Sequence, residues 1–383
     1  MKTISYYKNA ICNRANKFIN ERRGWKTDRH IVVIESDDWG SIRTSSLQAL
    51  GRLKDKGVNF SDASFNRYDT LATNDDLELL MEVLSSIKDI KNNPAKITFN
   101  CCLTNPDFDK IKASNYTQYY YELFTETLKR YPNCDKSFDL WQKGIEEKLF
   151  QPQFHGREHL NVPLMMKLLQ SDYKPMKDTF DEQMYSLLLS PNQNQNRNSL
   201  MPAFDYLDID ERNFLQESIK DGLDIFEKVF GFKSKSMIAP CYTWDNFVED
   251  LVNDLDVKYI QSSFNQHLPT GNKKKNNTHY IGEKNSNDQI YLVRNCIYEP
   301  SSVGGIAGIA ERKCLNEIDK AFALKKPAII CSHRVNYIGA LNIENRNRTL
   351  KGIKYILTQI KQKYPDVEFM SSDELGELIT GNK

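Results

Sequence analysis

The chain has 383 residues, of which 40% are hydrophobic and 11% aromatic, enough to bury a sizeable core. Its 52 Lys plus Arg against 51 Asp plus Glu leave a formal net charge of +1, so no global field argues for a nucleic-acid partner or an acidic membrane surface. No run approaches the roughly 18 apolar residues of a transmembrane segment. The opening MKTISYYKNAICNRANKFINERRGW is basic without the apolar core of a signal peptide, so a cytoplasmic protein is expected, at most peripheral to the inner membrane face. Eight cysteines without a CxxC pair read as reduced, mostly buried thiols.

In chain order, 31–36 (IVVIES) predicts a buried strand, 75–90 an amphipathic helix capped by Asn74 or Asp75, and 96–103 (KITFNCCL) a second strand. Helical spacing follows at 116–129 and 139–149, then a strand-like run at 151–155 (QPQFH) and a helix at 162–170. A helix over 210–229, a strand at 235–239, a helix at 245–254 and a strand at 257–262 continue the alternation. The tail adds helix 315–325, strand 327–332, helix 346–363, strand 367–370 and helix 372–379. Strands separated by helices imply parallel βα units in a barrel or a doubly wound sheet. Polar stretches at 171–209, with SPNQNQNRNS, and at 264–289, with the lysine run 273–275, read as loop inserts. The chain therefore divides into a basic N-terminal extension, 1–29, and one domain, 30–383.

In a parallel α/β architecture, catalytic groups gather beyond the C-terminal ends of the strands. Asp37 and Asp38 follow the first strand, His155 and His159 the run 151–155, Cys241 and Tyr242 the strand 235–239, and His333 the strand 327–332. Adjacent carboxylates often cap a helix, but a pair can also divide labour, one ligating a metal while the other takes a proton. HGREH at 155–159 has the HxxxH spacing that brings two imidazoles to one ion, on a helix or in a tight turn. His333 reads as a satisfied strand-end histidine or, opposite a metal site, as a general acid. Trp39, Tyr242 and Trp244 stand at strand ends, where aromatics either pack or stack on sugar rings.

Together, ESDDWG, HGREH, IAPCYTW and IICSHR resemble, in order and spacing, the motifs of the NodB-homology polysaccharide deacetylases, carbohydrate esterase family 4. The resemblance covers residues 30–380. It implies an α/β fold, a distorted (β/α) barrel of about seven parallel strands with long loop insertions. It also implies a metal-dependent hydrolase that removes N- or O-linked acetyl groups from a polysaccharide or its precursor sugar. Asp37 would be the general base, with Asp38, His155 and His159 the ligands of a divalent ion, zinc first and cobalt or another as alternatives. The backbone N–H of Tyr242 would stabilise the oxyanion, and His333 would be the general acid. An acetylated carbohydrate is the expected partner, and nothing in the sequence indicates an oligomeric state.

Three positions depart from the family pattern. Gly156 stands where a Ser or Thr is usual, Ile238 and Ala239 stand where an arginine orients the base, and no tryptophan motif is recognisable in 257–270. Arg157, Arg294 and Arg334 are the candidates to replace that arginine. Two other readings stay open. HGREH also fits the HxxEH zinc-peptidase signature with Glu158 as base, provided the segment is helical. A non-catalytic carbohydrate-binding protein on a decayed barrel would account for the missing arginine.

Overall fold

Buried β-formers set the framework. The computed structural model describes residue 19 and residues 22–60, 63–189, 197–272, 276–302 and 308–381. Most of the basic extension, the first seven residues of SPNQNQNRNS and the lysine run lie outside the described residues. Strand β1 (Ile31–Trp39) is buried at every position, as a central strand covered on both faces must be. It is followed by β2 (Ile97–Cys101), the antiparallel pair β3 (Thr104–Pro106) and β4 (Tyr121–Leu123), β5 (Phe150–Phe154), β6 (Ser236–Ile238) and β7 (Tyr259–Ser262). A second antiparallel pair, β8 (Asn265–His267) with β9 (Asn276–Thr278), precedes β10 (Ile290–Val293), β11 (Cys296–Ile297), β12 (Ala328–His333) and β13 (Glu368–Met370).

The main sheet runs β10-β7-β6-β5-β2-β1-β12-β11, all parallel, with β13 also paired to the N-terminal half of β1. Its two ends belong to one segment. β10 pairs with β7 and β11 with β12, and only Arg294 and Asn295 separate them. The Arg294 N–H donates to Ser262 O at 2.8 Å and the Asn295 N–H to Ile329 O at 3.1 Å, so residues 290–297 bridge both edges and close the sheet into a barrel. Counting that bridge once gives seven barrel strands, as the sequence predicts.

Helices lie outside the sheet, and most begin where a short polar side chain caps them. The Asp208 side chain accepts from the Glu211 N–H to start the helix Ile209–Phe230, and Gly231 ends it at φ 77°. The helix predicted from residue 75 is Asn74–Ser85, and its cap is Thr73, in a reciprocal capping box with Asp76, rather than Asn74 or Asp75. Segment 116–129 is a helix only from Phe124 to Arg130, because the tyrosine-rich run before it enters β4. Both inserts carry structure of their own: a helix at Lys174–Asp181 and the β8–β9 pair. No helix among the described residues is long and apolar enough to cross a membrane.

The barrel interior is partly polar. Asn100 Nδ2 donates to Gln261 Oε1 at 2.8 Å, Gln261 Nε2 to Ser236 Oγ at 2.9 Å, and the Ser236 N–H to Gln153 Oε1 at 2.7 Å. This buried chain of amides and hydroxyls leads up to the C-terminal mouth, where the strand-end residues converge.

Candidate functional site at the mouth of the barrel

Successive residues of a regular strand face opposite sides. Asp37 and Asp38 escape that rule because the pairing of β1 with β2 shifts register between Ser36 and Trp39. The irregularity puts Asp38 at φ 74° and Gly40 at φ 86°, and both carboxylates line one pocket. Aspartate is among the few residues that tolerate left-handed backbone. Gly40 has no such alternative, since a Cβ there would lie 2.3 Å from the Cys102 carbonyl oxygen.

Asp38 Oδ1 lies 3.4 Å from His155 Nε2 and 3.3 Å from His159 Nε2, with all three side chains buried. His155 Nδ1 is 2.8 Å from Ile238 O and donates to it, which leaves the Nε2 lone pair facing the carboxylate. Burial pushes His159 down to about 4, against the pull of Asp38, so its ring is neutral near pH 7. Its Nδ1 has no hydrogen-bond partner among the described residues. One carboxylate and two imidazoles form a donor set that fits a divalent first-row ion, with the cavity side left open.

The two histidines meet through a loop and not a helix. Gly156 sits at φ 102°, a conformation strained for Ser or Thr, which accounts for the departure at this position. Glu158 turns away: its carboxylate accepts from Arg157 at 2.7 and 2.9 Å and from Thr104 Oγ1 at 3.2 Å. Without a helix and without a free Glu158, the peptidase reading is lost.

Asp37 is clamped from several directions. Arg294 Nη2 donates to Asp37 Oδ1 at 2.6 Å and Nη1 to Oδ2 at 2.7 Å, while Asn100 Nδ2 donates to Oδ1 at 2.7 Å. Burial alone would raise this carboxyl, but the guanidinium holds it far below the usual range. Arg294 Nε donates to Glu35 Oε2 at 2.6 Å, so one arginine binds two buried carboxylates, and burial still leaves the Glu35 carboxyl raised above its ordinary value. The place of the arginine absent from IAPCYTW is thus filled from the closing segment. Arg157 and Arg334 are engaged elsewhere, with Glu158 and Asp69.

His333 stands opposite because β12 pairs with β1 in a register that aligns it with Asp37, and its Nε2 lies 3.7 Å from Asp37 Oδ2. Its Nδ1 meets Glu299 Oε1 at 2.5 Å, and Asn336 Nδ2 holds the other Glu299 oxygen at 2.8 Å. Burial disfavours the imidazolium, but Glu299, Asp37 and Asp38 outweigh it and hold His333 well above its ordinary value. A cavity of about 210 Å³ separates these groups, with Arg43, Phe65 and Cys241 completing much of its wall. Cys241 is the exposed member of that wall.

Three sequence expectations are corrected. The Tyr242 N–H donates to Ala239 O at 2.9 Å and is not available to an oxyanion, whereas the Cys241 N–H, one residue earlier in the turn, has no acceptor among the described residues. The Tyr242 side chain meets the Asp37 clamp instead, its hydroxyl accepting from Arg294 Nη1 at 2.9 Å. Trp39 is buried and stacks on Phe99 at 3.7 Å, with its Nε1 donating to Ser36 Oγ, and Trp244 is equally buried with its Nε1 on Glu249. Both are core residues, away from any sugar. Glu299, Asn100 and Arg43 escaped the sequence reading, because each lies outside the four motifs.

No protein-family model and no curated protein matches the chain. Among solved structures, a candidate glycoside hydrolase/deacetylase from Parabacteroides distasonis matches with a TM-score of 0.50 and 9% identity, over 94% of this chain and 73% of that one. PuuE allantoinase matches with a TM-score of 0.48 and 10% identity, over 94% of each chain. The 4-alpha-glucanotransferase of Thermococcus litoralis matches with a TM-score of 0.42 and 8% identity, over 90% of this chain but only 40% of the enzyme's own. At these identities the likeness is one of fold, and the P. distasonis structure carries it.

Proposed function

We propose that this protein is a metal-dependent hydrolase that removes acyl groups, acetyl foremost, from nitrogen or oxygen of a carbohydrate. The observation that carries the reading is the convergence at one barrel mouth of Asp38, His155 and His159 with a clamped Asp37 and a Glu299-backed His333. A divalent ion held by the triad would supply Lewis acidity to a water and to the acyl carbonyl, which is what lets so weak a base as the clamped Asp37 serve.

The chain's own groups do the rest. Asp37 takes a proton from the attacking water as its oxygen bonds to the acyl carbon. The Cys241 N–H donates to the oxygen that gains the electron pair. When the bond from acyl carbon to nitrogen or oxygen breaks, His333 gives its proton to the leaving amine or alcohol, so a carboxylic acid and a free sugar group depart. Arg294 keeps Asp37 ionised until the attack and holds it oriented.

The test is acetate release from N- and O-acetylated sugars by metal-stripped protein, with and without added zinc or cobalt. Metal-dependent release is expected. A chain that binds one ion tightly and releases nothing from any of them supports the second reading, a carbohydrate-binding protein, which the Arg294–Asp37 contact disfavours.

A further inference from the structure

Arg43 stands in the loop between the end of β1 and the helix Leu47–Asp55, and it lines the cavity beside Asp38 and His159. Its residue is 8% exposed, yet its guanidinium has no hydrogen bond or ion pair among the described residues, and its Nε is fully enclosed without a partner. Arg43 feels Asp69 only at longer range; a buried cation with no carboxylate in contact is expensive, and the other arginines of this region avoid it: Arg157, Arg294 and Arg334 each hold one. Arg43 has only the ring of Phe65, 5.2 Å from its guanidinium carbon.

Nor is the side chain there by default. The backbone on either side is pinned: Ser41 O accepts from Arg334 at 2.7 Å, the Ile42 N–H donates to Asn105 Oδ1 at 2.7 Å, and the Thr44 N–H and hydroxyl donate to Asp69 O and Asn66 O at 3.2 and 2.8 Å. The loop thus presents an unpaired guanidinium to the cavity from a rigid mount. A planar donor fork in a water-poor wall is matched by an oxyanion.

We propose that Arg43 is the specificity residue of this pocket, and that the substrate is an acylated sugar bearing a carboxylate or a phosphate that pairs with it beside the acyl group. The acyl part rests on the hydrolase reading; the anion does not. Binding and turnover are therefore measured separately on the full, zinc-loaded chain.

In calorimetry, glucuronate and glucose 1-phosphate should bind about 10- to 100-fold tighter than methyl glucoside, the range for a charge-assisted contact. Arg43→Gln should erase that preference and Arg43→Lys should keep part of it. Acetate release from N-acetylmuramic acid and N-acetylglucosamine 1-phosphate, each relative to the methyl glycoside of N-acetylglucosamine, should show the same ratio and the same dependence. Preference for only the uronate or only the phosphate assigns the source of the anion. A wild-type chain with no preference, or a preference that survives in Arg43→Gln, overturns the proposal. If Arg43→Gln does not fold, judged by zinc content and near-UV circular dichroism, the wild-type preference and its partial retention in Arg43→Lys decide. Acetate release without an anion preference removes this inference alone, and a preference without release removes only the hydrolase reading.

Discussion

Removing the guanidinium of Arg294 would leave Glu35 and Asp37 buried together without a counter-ion. Truncation of one partner in a buried ion cluster costs about 3–5 kcal/mol. Arg294→Met should therefore lower the unfolding free energy by that order in urea titrations, and a loss under 1 kcal/mol would contradict the clamp. Glu299→Gln acts on the opposite wall. His333 is held above its ordinary value, so the imidazolium that the proposed reaction needs persists at neutral pH and is lost as pH rises through the raised value. Without the Glu299 charge, the alkaline limb of kcat/KM should move to lower pH, as a pH–rate profile would report. The aspartate pair and the HxxxH histidines were legible in the sequence because each is a local pattern. The clamp was not, since Arg294 and Asp37 are 257 residues apart and no spacing rule links them. Trp39 and Trp244 misled for a different reason: position at a strand end does not say which face a ring takes.

Among the elements, the helix Ile209–Phe230 is tied at its first turn to the segment that brings Ser199 and Met201 to the cavity. Glu211 makes the tie, accepting from Lys167 and from the Leu207 N–H, each at 2.8 Å, and from Arg197. Burial works against its charge, but Arg197 and Lys167 hold it down to about 2. A depressed carboxylate contributes stability that is present above its ordinary pKa near 4.5 and is lost as pH falls toward the folded value of about 2. Glu211→Gln should thus destabilise by about 2–3 kcal/mol at pH 7, and the gap to wild type should narrow on acidification below that ordinary value. Denaturant melts across that window would show it. Most elements were legible from periodicity and caps, because long amphipathic helices and apolar strands declare themselves. The strand at 290–297 was passed over, although IYLV is a run of β-formers, because it adjoins the polar insert and contains the arginine and asparagine of the bridge.

At the scale of the whole molecule, that bridge is the only place where both edges of the barrel meet among the described residues. Asn295 secures it: its Oδ1 accepts from the Ile329 N–H at 2.8 Å and its Nδ2 donates to Pro327 O at 2.9 Å. Asn295→Ala should cost about 1–3 kcal/mol and speed hydrogen exchange at Ile329 more than at strands far from the seam. Unchanged exchange there would mean the seam is held by backbone alone. The parallel βα architecture was readable from the alternation of strands and helices and the barrel from the motif resemblance, while its closure depends on pairing across the chain that no local window contains.

The same seam orders events during synthesis. Asp37 leaves the ribosome 257 residues before its counter-ion, and β12, the strand that aligns His333 with it, comes later still. Pairings between residues so distant in the chain form late, since loop closure must precede them. Until then the nascent barrel carries an unclamped carboxyl without His333 beside it, so under the proposed reaction a stalled or truncated chain has no assembled site. Competence at this site and completion of the fold arrive as one event.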